Sequence, residues 1–228
     1  MMTQMHEASD IKTLWRTDRC IVINKPAGML SVPGRGPDKQ DCAAVRVRAL
    51  VPNATGPLVV HRLDMETSGV MLFALDAAAQ RNLSEQFAQR RVGKTYEAIL
   101  AGAVTHDAGV VKLRMRLDVD NRPHQIVDPV QGKLSTTCWR VLQRWKEDGE
   151  YRTRMRFNPV TGRSHQLRVH AAVSTGVGGL GAPIIGDSLY APAHIATASS
   201  RMLLHATELM FDDPASGERI CVQSQTPY

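Results

Sequence analysis

The sequence predicts a single domain of mixed strands and helices, because strand-like and helix-like segments are interleaved along one chain with no repeat, low-complexity tract or linker separating them. The size fits: 228 residues, 43% of them hydrophobic, suffice to bury a core as one globular unit. The apolar runs are also short, and none approaches the roughly 18–20 residues of a membrane-spanning helix.

A polar leader over residues 1–13 is expected to be flexible, with a single domain over 14–228. "LWRTDRCIVINKPAG" reads as two strands about a Thr-Asp turn, the second closed by Pro26 and Gly28. "SVPGRGPDKQD" is a loop by its Gly and Pro content, and from Asp41 as N-cap "CAAVRVRALV" forms a helix that stops before Pro52. "SGVMLFAL" is an apolar run suited to a buried strand. Asp76 caps the helix "AAAQRNLSEQFAQRR", in which Ala79, Leu83 and Phe87 recur at helical spacing and Arg81 pairs with Glu85 outside. "KTYEAILAGAV" is a strand. In "YRTRMRFNP" Tyr151, Thr153, Met155 and Phe157 alternate with Arg152, Arg154 and Arg156, giving one core face and one basic face suited to phosphates. "TGRSHQLRVHAAVSTG" opens as a turn and becomes a helix ending at Gly176, and "RMLLHATELMF" is a further strand.

Lys and Arg number 28 against 22 Asp and Glu, so the net charge of +6 favours polyanionic partners without identifying one. Cys20, Cys42, Cys138 and Cys221 form no CxxC pair, which argues against a zinc ribbon or redox motif and for a reducing, cytoplasmic setting. The N-terminus lacks a basic segment followed by an apolar core, so neither secretion nor a membrane is expected.

In "HRLDMETSGV" the carboxylate Asp64 lies on the loop entering a buried strand, where it can be a nucleophile, a general base or a turn residue bonding its own backbone. An arginine, Arg62 nearby or Arg168 from the later helix, could hold it ionised and oriented. Glycoside hydrolysis normally uses two carboxylates, and only Glu66 is near, so a single-acid site suits a leaving group such as the uracil anion. His165 and His170, with His61, His194 and His205, lack a zinc-site pattern such as HExxH, so no metal is expected. His165 and Gln166 can donate hydrogen bonds near their helix start, and His170 reads as a satisfied core histidine. Tyr96 is an ordinary strand aromatic or a stacking platform for a base.

"HRLDMETSGVMLFAL", followed in order by "KTYEAIL", "TGRSHQLRVH", "IIGDSLY" and "RMLLHA" and preceded by "VINKPAGMLSVPG", resembles the RluA family of pseudouridine synthases from about residue 14 to 211. The resemblance implies an α+β fold with a long, bent, largely antiparallel sheet, flanking helices and a central active-site cleft. It also implies isomerisation of uridine to pseudouridine in RNA with no cofactor or metal. Asp64 matches the catalytic aspartate, Tyr96 the tyrosine packing on the target base, Arg168 the arginine paired with the aspartate, and Arg62 the residue entering the helix stack when the uridine leaves it. His61, Arg163, His165 and Gln166 join Arg62 as candidate RNA contacts. "SVPGR", "HRLDMETSGV" and "NRPHQ" are most similar to short dual-specificity members without an S4 domain. Those members imply as substrates the tRNA anticodon stem-loop and a similar loop of 23S rRNA, and a monomeric enzyme is expected. One departure is the Gly-rich "STGVGGLGAPIIGDSLY", with Ala182 where a His is common. A silent RNA-binding module, a single-substrate synthase and a nucleoside hydrolase are the competing readings.

Overall fold

A computed structural model describes residues 11–56 and 58–228. In chain order the elements are β1 (Lys12–Arg16), β2 (Cys20–Lys25), α1 (Ala43–Leu50), β3 (Ser68–Ala74), α2 (Ala77–Ala88), β4 (Gly93–Ala101), β5 (Ala108–Leu117), β6 (Gln125–Val127), β7 (Lys133–Glu147), β8 (Glu150–Pro159), α3 (Gln166–Ala172), α4 (Ala193–Ala196), β9 (Leu204–Asp212) and β10 (Arg219–Gln223). Strands prevail over helices, and the pairings β1/β2, β2/β3, β9/β10, β4/β8, β7/β8, β5/β7 and β5/β6 are all antiparallel. The α+β class is the observed one. Residues 1–10 of the expected leader lie outside the described residues, and Lys12 and Thr13 at its end already belong to β1. Among the described residues no helix is long and apolar enough to cross a membrane.

The chain divides into two compact units. The described residues up to Gly93, with Glu208–Gln225, form the first; Lys94–Thr207, with Thr226–Tyr228, form the second.

In the first unit the strand order is β1-β2-β3-β9-β10, β9 contributing Glu208–Asp212. All seven residues of β3 are buried, as an uninterrupted apolar run requires of a central strand covered on both faces. Val70, Leu72 and Ala74 meet Ala79 and Leu83 of α2 and Leu209 and Phe211 of β9 in one core. Asp76 caps α2 as expected, accepting from the backbone N–H groups of Ala78 and Ala79 at 2.9 Å each. Glu85 accepts from Gln89 one turn on, instead of pairing with Arg81. Asp41 does not cap α1. The cap position belongs to Cys42, which makes no side-chain cap bond, because the Asp41 carboxylate is forked by Arg46 at 2.8 and 2.6 Å.

In the second unit the order is β9-β4-β8-β7-β5-β6. Val111, Leu113 and Met115 of β5, Trp139 of β7, and Met155 and Phe157 of β8 face Leu167, Val169 and Ala171 of α3. The alternation in β8 is observed for Thr153, Met155 and Phe157, whereas Tyr151 beside the β7–β8 hairpin turn is exposed. Its arginine face is partly neutralised: Glu97 of β4 lies 3.7 Å from Arg154 and 3.5 Å from Arg156. α3 ends at Ala172 and not at Gly176, since Val173 turns extended and a separate 3-10 turn spans Thr175–Val177.

Candidate active site

The first unit carries Asp64 on a loop fastened from three sides. Ser31, itself buried, donates its hydroxyl to the carbonyl of Leu63 at 2.5 Å and accepts the Leu63 N–H at 3.0 Å. Lys25 is fully buried, and its ammonium donates to the carbonyls of Pro26 at 2.9 Å, Met29 at 2.7 Å and Met65 at 3.0 Å. Three N–H bonds meeting three oxygens allow a charge to sit where desolvation would otherwise be costly. The Met65 carbonyl also accepts the N–H of Gly28, whose φ of +79° is open to glycine at little strain. A turn bond from the Thr67 N–H to the Asp64 carbonyl, 3.1 Å, closes the loop. Asp64 is thus half-buried on a backbone fixed on either side of it, with the Arg62 side chain exposed.

Sequence reasoning assigned no role to Lys25 or Ser31, though both stand in the quoted "VINKPAGMLSVPG". Lys25→Met is expected to take the ammonium donor from three carbonyls, of which that of Met65 keeps the Gly28 N–H, and to lower stability by about 3 kcal/mol, with a larger fall in turnover as the Asp64 loop loosens. Urea unfolding and an assay of the isomerisation that the resemblance implies, measured on the same preparation, check both parts.

His61 serves the fold. Its Nε2 accepts the Leu72 N–H at 2.9 Å, and its ring stacks on Phe87 at 4.7 Å, so the half-buried His61 holds the loop to β3 and α2.

The second unit carries Tyr96 and the α3 residues. Tyr96, half-buried on β4, pairs in register with Phe157 and borders the core. Arg168 is buried and forks Asp187, Nε to Oδ2 at 2.9 Å and Nη2 to Oδ1 at 2.5 Å. Asp187 Oδ1 also accepts the N–H groups of Leu189 and Tyr190 at 3.0 and 3.2 Å, and the guanidinium lies 5.1 Å from the Tyr190 ring centroid. Gly186 makes this turn possible: its φ is +81°, and a Cβ there would fall 2.1 Å from the Arg201 carbonyl oxygen. The Tyr190 hydroxyl accepts the Gln125 N–H at 2.8 Å and shares a 2.7 Å hydrogen bond with His165 Nδ1. His165 is held at φ +53° at the head of α3, with its ring edge-on to Tyr190.

Gln166 is not available to RNA. It is buried, its amide donates to the Thr136 carbonyl and Thr137 Oγ1, and its oxygen accepts from Thr161 Oγ1 and the Arg163 N–H, which pins the start of α3 to β7. Arg163 is exposed, its Nε reaching the Leu134 carbonyl at 3.4 Å. Asp187 and Tyr190 are the residues missed here, and the signal was the motif "IIGDSLY". Among the described residues no group of three or more His, Cys, Asp or Glu side chains is placed to hold a metal ion.

His170 is a core residue, but only Nε2 has a partner, Ser135 Oγ at 2.8 Å; Nδ1 is buried with none among the described residues. Burial pushes its pKa down from 6.5 to about 4. The unfolded chain therefore binds a proton between these values that the folded one does not. Stability is full above pH 6.5 and is expected to fall by on the order of 2–3 kcal/mol as pH drops toward 4. Urea midpoints at pH 7 and 5, for wild type and His170→Gln, test this; the variant should show a smaller difference.

A family model for RNA pseudouridylate synthase matches residues 19–173. The dual-specificity RNA pseudouridine synthase RluA of Haemophilus influenzae is 40% identical over 215 residues, covering 94% of this chain and 93% of the relative. Its namesake in Escherichia coli K12 is 39% identical over 215 residues with the same coverage. The structure of human RNA pseudouridylate synthase domain containing 1 superposes with a TM-score of 0.78 and 27% identity over 99% of this chain and 87% of that one. This chain accordingly belongs to the RNA pseudouridylate synthase family, in its RluA branch, and is an enzyme that acts on RNA.

Proposed function

We propose that the protein isomerises specific uridines in tRNA anticodon stem-loops and in a similar loop of 23S rRNA, as a cytoplasmic monomer. The observation that carries the site is the Asp64 loop, fixed through Leu63 and Met65 on either side of the carboxylate. The dual substrate is supported by the name shared by relatives 37–43% identical to this chain. The cytoplasmic setting is supported by four cysteines that are all free thiols.

The reaction breaks the bond from N1 of uracil to C1′, turns the base and joins C5 to C1′, the C5 proton being lost and N1 gaining one. Asp64 is the group that acts at the ribose, either attacking C1′ or removing the C2′ proton, and it then assists loss of the C5 proton. The nucleotide leaves its stack at a cost of a few kcal/mol, which Arg62, exposed beside the loop, helps to offset by taking the vacated place. Tyr96 supplies a face for the loose uracil. Arg168, fixed in direction by its fork to Asp187, orients the aspartate. Arg163 contacts phosphate, and His165 is a positioning residue held by Tyr190.

Pseudouridine mapping of tRNA and 23S rRNA, from cells lacking the protein and from cells rescued with it, tests this directly. Loss at both loops with restoration by the wild type is the expected result. Loss at one loop reduces the enzyme to a single-substrate synthase, free uracil makes it a hydrolase, and unchanged maps overturn the assignment.

A further inference from the structure

The strand register of the second unit sorts its side chains onto two faces. Tyr96, Phe157 and Trp139 are cross-strand neighbours and share the face covered by α3. On the opposite face Ala108, Arg140, Arg156 and Glu97 form one cross-strand row, Val110, Cys138 and Asn158 the next, and Lys112 with Thr136 and Arg114 with Leu134 continue it along β5 and β7. Lys112, Arg114 and Arg140 are all exposed there.

The charges on this face do not cancel. Glu97 is engaged by Arg154 and Arg156, and Arg116, the next cation along β5, is taken by Asp128. Lys112, Arg114, Arg140 and Arg163 have no carboxylate partner among the described residues; Arg114 and Arg163 donate only to the carbonyls of Gly132 and Leu134, which leaves their charge intact. Arg163 also precedes α3 by three residues while reaching β7 through Leu134, so it stands at the rim between the α3 side and the outward face. The exposed apolar residues Val110 and Leu134 are scattered singly among the cations, unlike the contiguous apolar patch that marks a protein-docking surface.

We propose that this outward sheet face is a second RNA-binding surface, carrying the backbone of the RNA that flanks the modified loop, with phosphates on Arg163, Arg114, Lys112 and Arg140. The occupant follows from charge complementarity: a row of uncompensated cations without an apolar anchor binds a polyanion by counterion release and reads no sequence. It lets the enzyme hold structured RNA by its backbone on a face separate from the α3-covered one that carries Tyr96. The proposal rests on the substrate assignment above.

The test uses full-length tRNA and the isolated anticodon stem-loop as probes, with the wild type and the double variant Lys112→Gln/Arg140→Gln. For full-length tRNA the variant is expected to bind about tenfold more weakly, with the slope of log Kd against log salt reduced by about 1.5–2. For the stem-loop its affinity should match the wild type. Cys138 is a native reporter, exposed in the middle of the face, while Cys221 is exposed on the first unit. Full-length tRNA should slow maleimide labelling of Cys138 severalfold more than the stem-loop does, with Cys221 as the internal comparison. Equal affinity of both proteins for both RNAs, equal loss on both, or unprotected Cys138 overturns the proposal. A wild-type dimer that the substitutions dissociate does so too, by giving the face to a second copy. A wild type that binds tRNA but makes no pseudouridine in it sinks the substrate assignment and leaves this comparison readable.

Discussion

Asp64→Asn is expected to form no measurable pseudouridine, a fall of about 10⁴-fold or more, while binding RNA nearly as the wild type does. The amide is close to isosteric with the carboxylate but can neither attack C1′ nor remove a proton, so the loss falls on the chemical step. The loop itself should not move, because its fastenings run through the backbone of Leu63 and Met65 and through Ser31 and Lys25, none of which uses the Asp64 side chain. Affinity depends mainly on contacts from Lys and Arg to phosphate, which the substitution leaves in place. Single-turnover pseudouridine formation beside a filter-binding isotherm separates the two; substantial activity in the variant would remove Asp64 from the mechanism.

Asp187→Ala is expected to be the most destabilising change in the second unit. The buried Arg168 guanidinium would lose its forked carboxylate and both of those charge-assisted hydrogen bonds, at about 3 kcal/mol. Two backbone donors, Leu189 and Tyr190 N–H, lose their acceptor at the same time, which loosens the turn carrying the Tyr190 hydroxyl. Asp187→Asn keeps one acceptor oxygen and should lose less. Urea unfolding orders the three proteins; an alanine variant within 1 kcal/mol or so of wild type would show that Arg168 finds another partner. Where Asp187→Asn still folds, its turnover should fall further than its RNA affinity, as the role proposed for Arg168 requires.

Much of this is legible in the sequence where the determining contact is local. The cap of Asp76 on α2, the uninterrupted apolar β3 and the turn leading from Asp64 into it are all set by residues within a few positions of one another. Reading fails where a partner is distant or competes. Asp41 precedes a helix as a cap should, but Arg46 holds its carboxylate. Gln166 sits at a helix start, yet all its bonds run to the turn before it and to β7, thirty residues away in sequence. A lysine is ordinarily an exposed residue, and nothing around Lys25 announces that the carbonyl of Met65 will help bury it. The long β7 and its neighbours β5 and β6 escaped because polar and apolar residues on two-faced strands dilute the apolar runs that mark buried ones such as β3.

The knot at Lys25 has a consequence for how the site breathes. One ammonium serves carbonyls 1, 4 and 40 positions along the chain, so swinging the loop out takes the Met65 carbonyl from a buried charge and breaks the Gly28 bond to the same carbonyl. Partial opening is therefore penalised almost as heavily as unfolding of that part of the unit, and in hydrogen exchange the amides of Gly28 and Leu63 should belong with the slow core and not with the mobile loops where functional groups are often found. The backbone freedom of the Asp64 loop has already been given up when the protein folds, so in the proposed reaction the incoming uridine meets an acid whose position it does not have to organise.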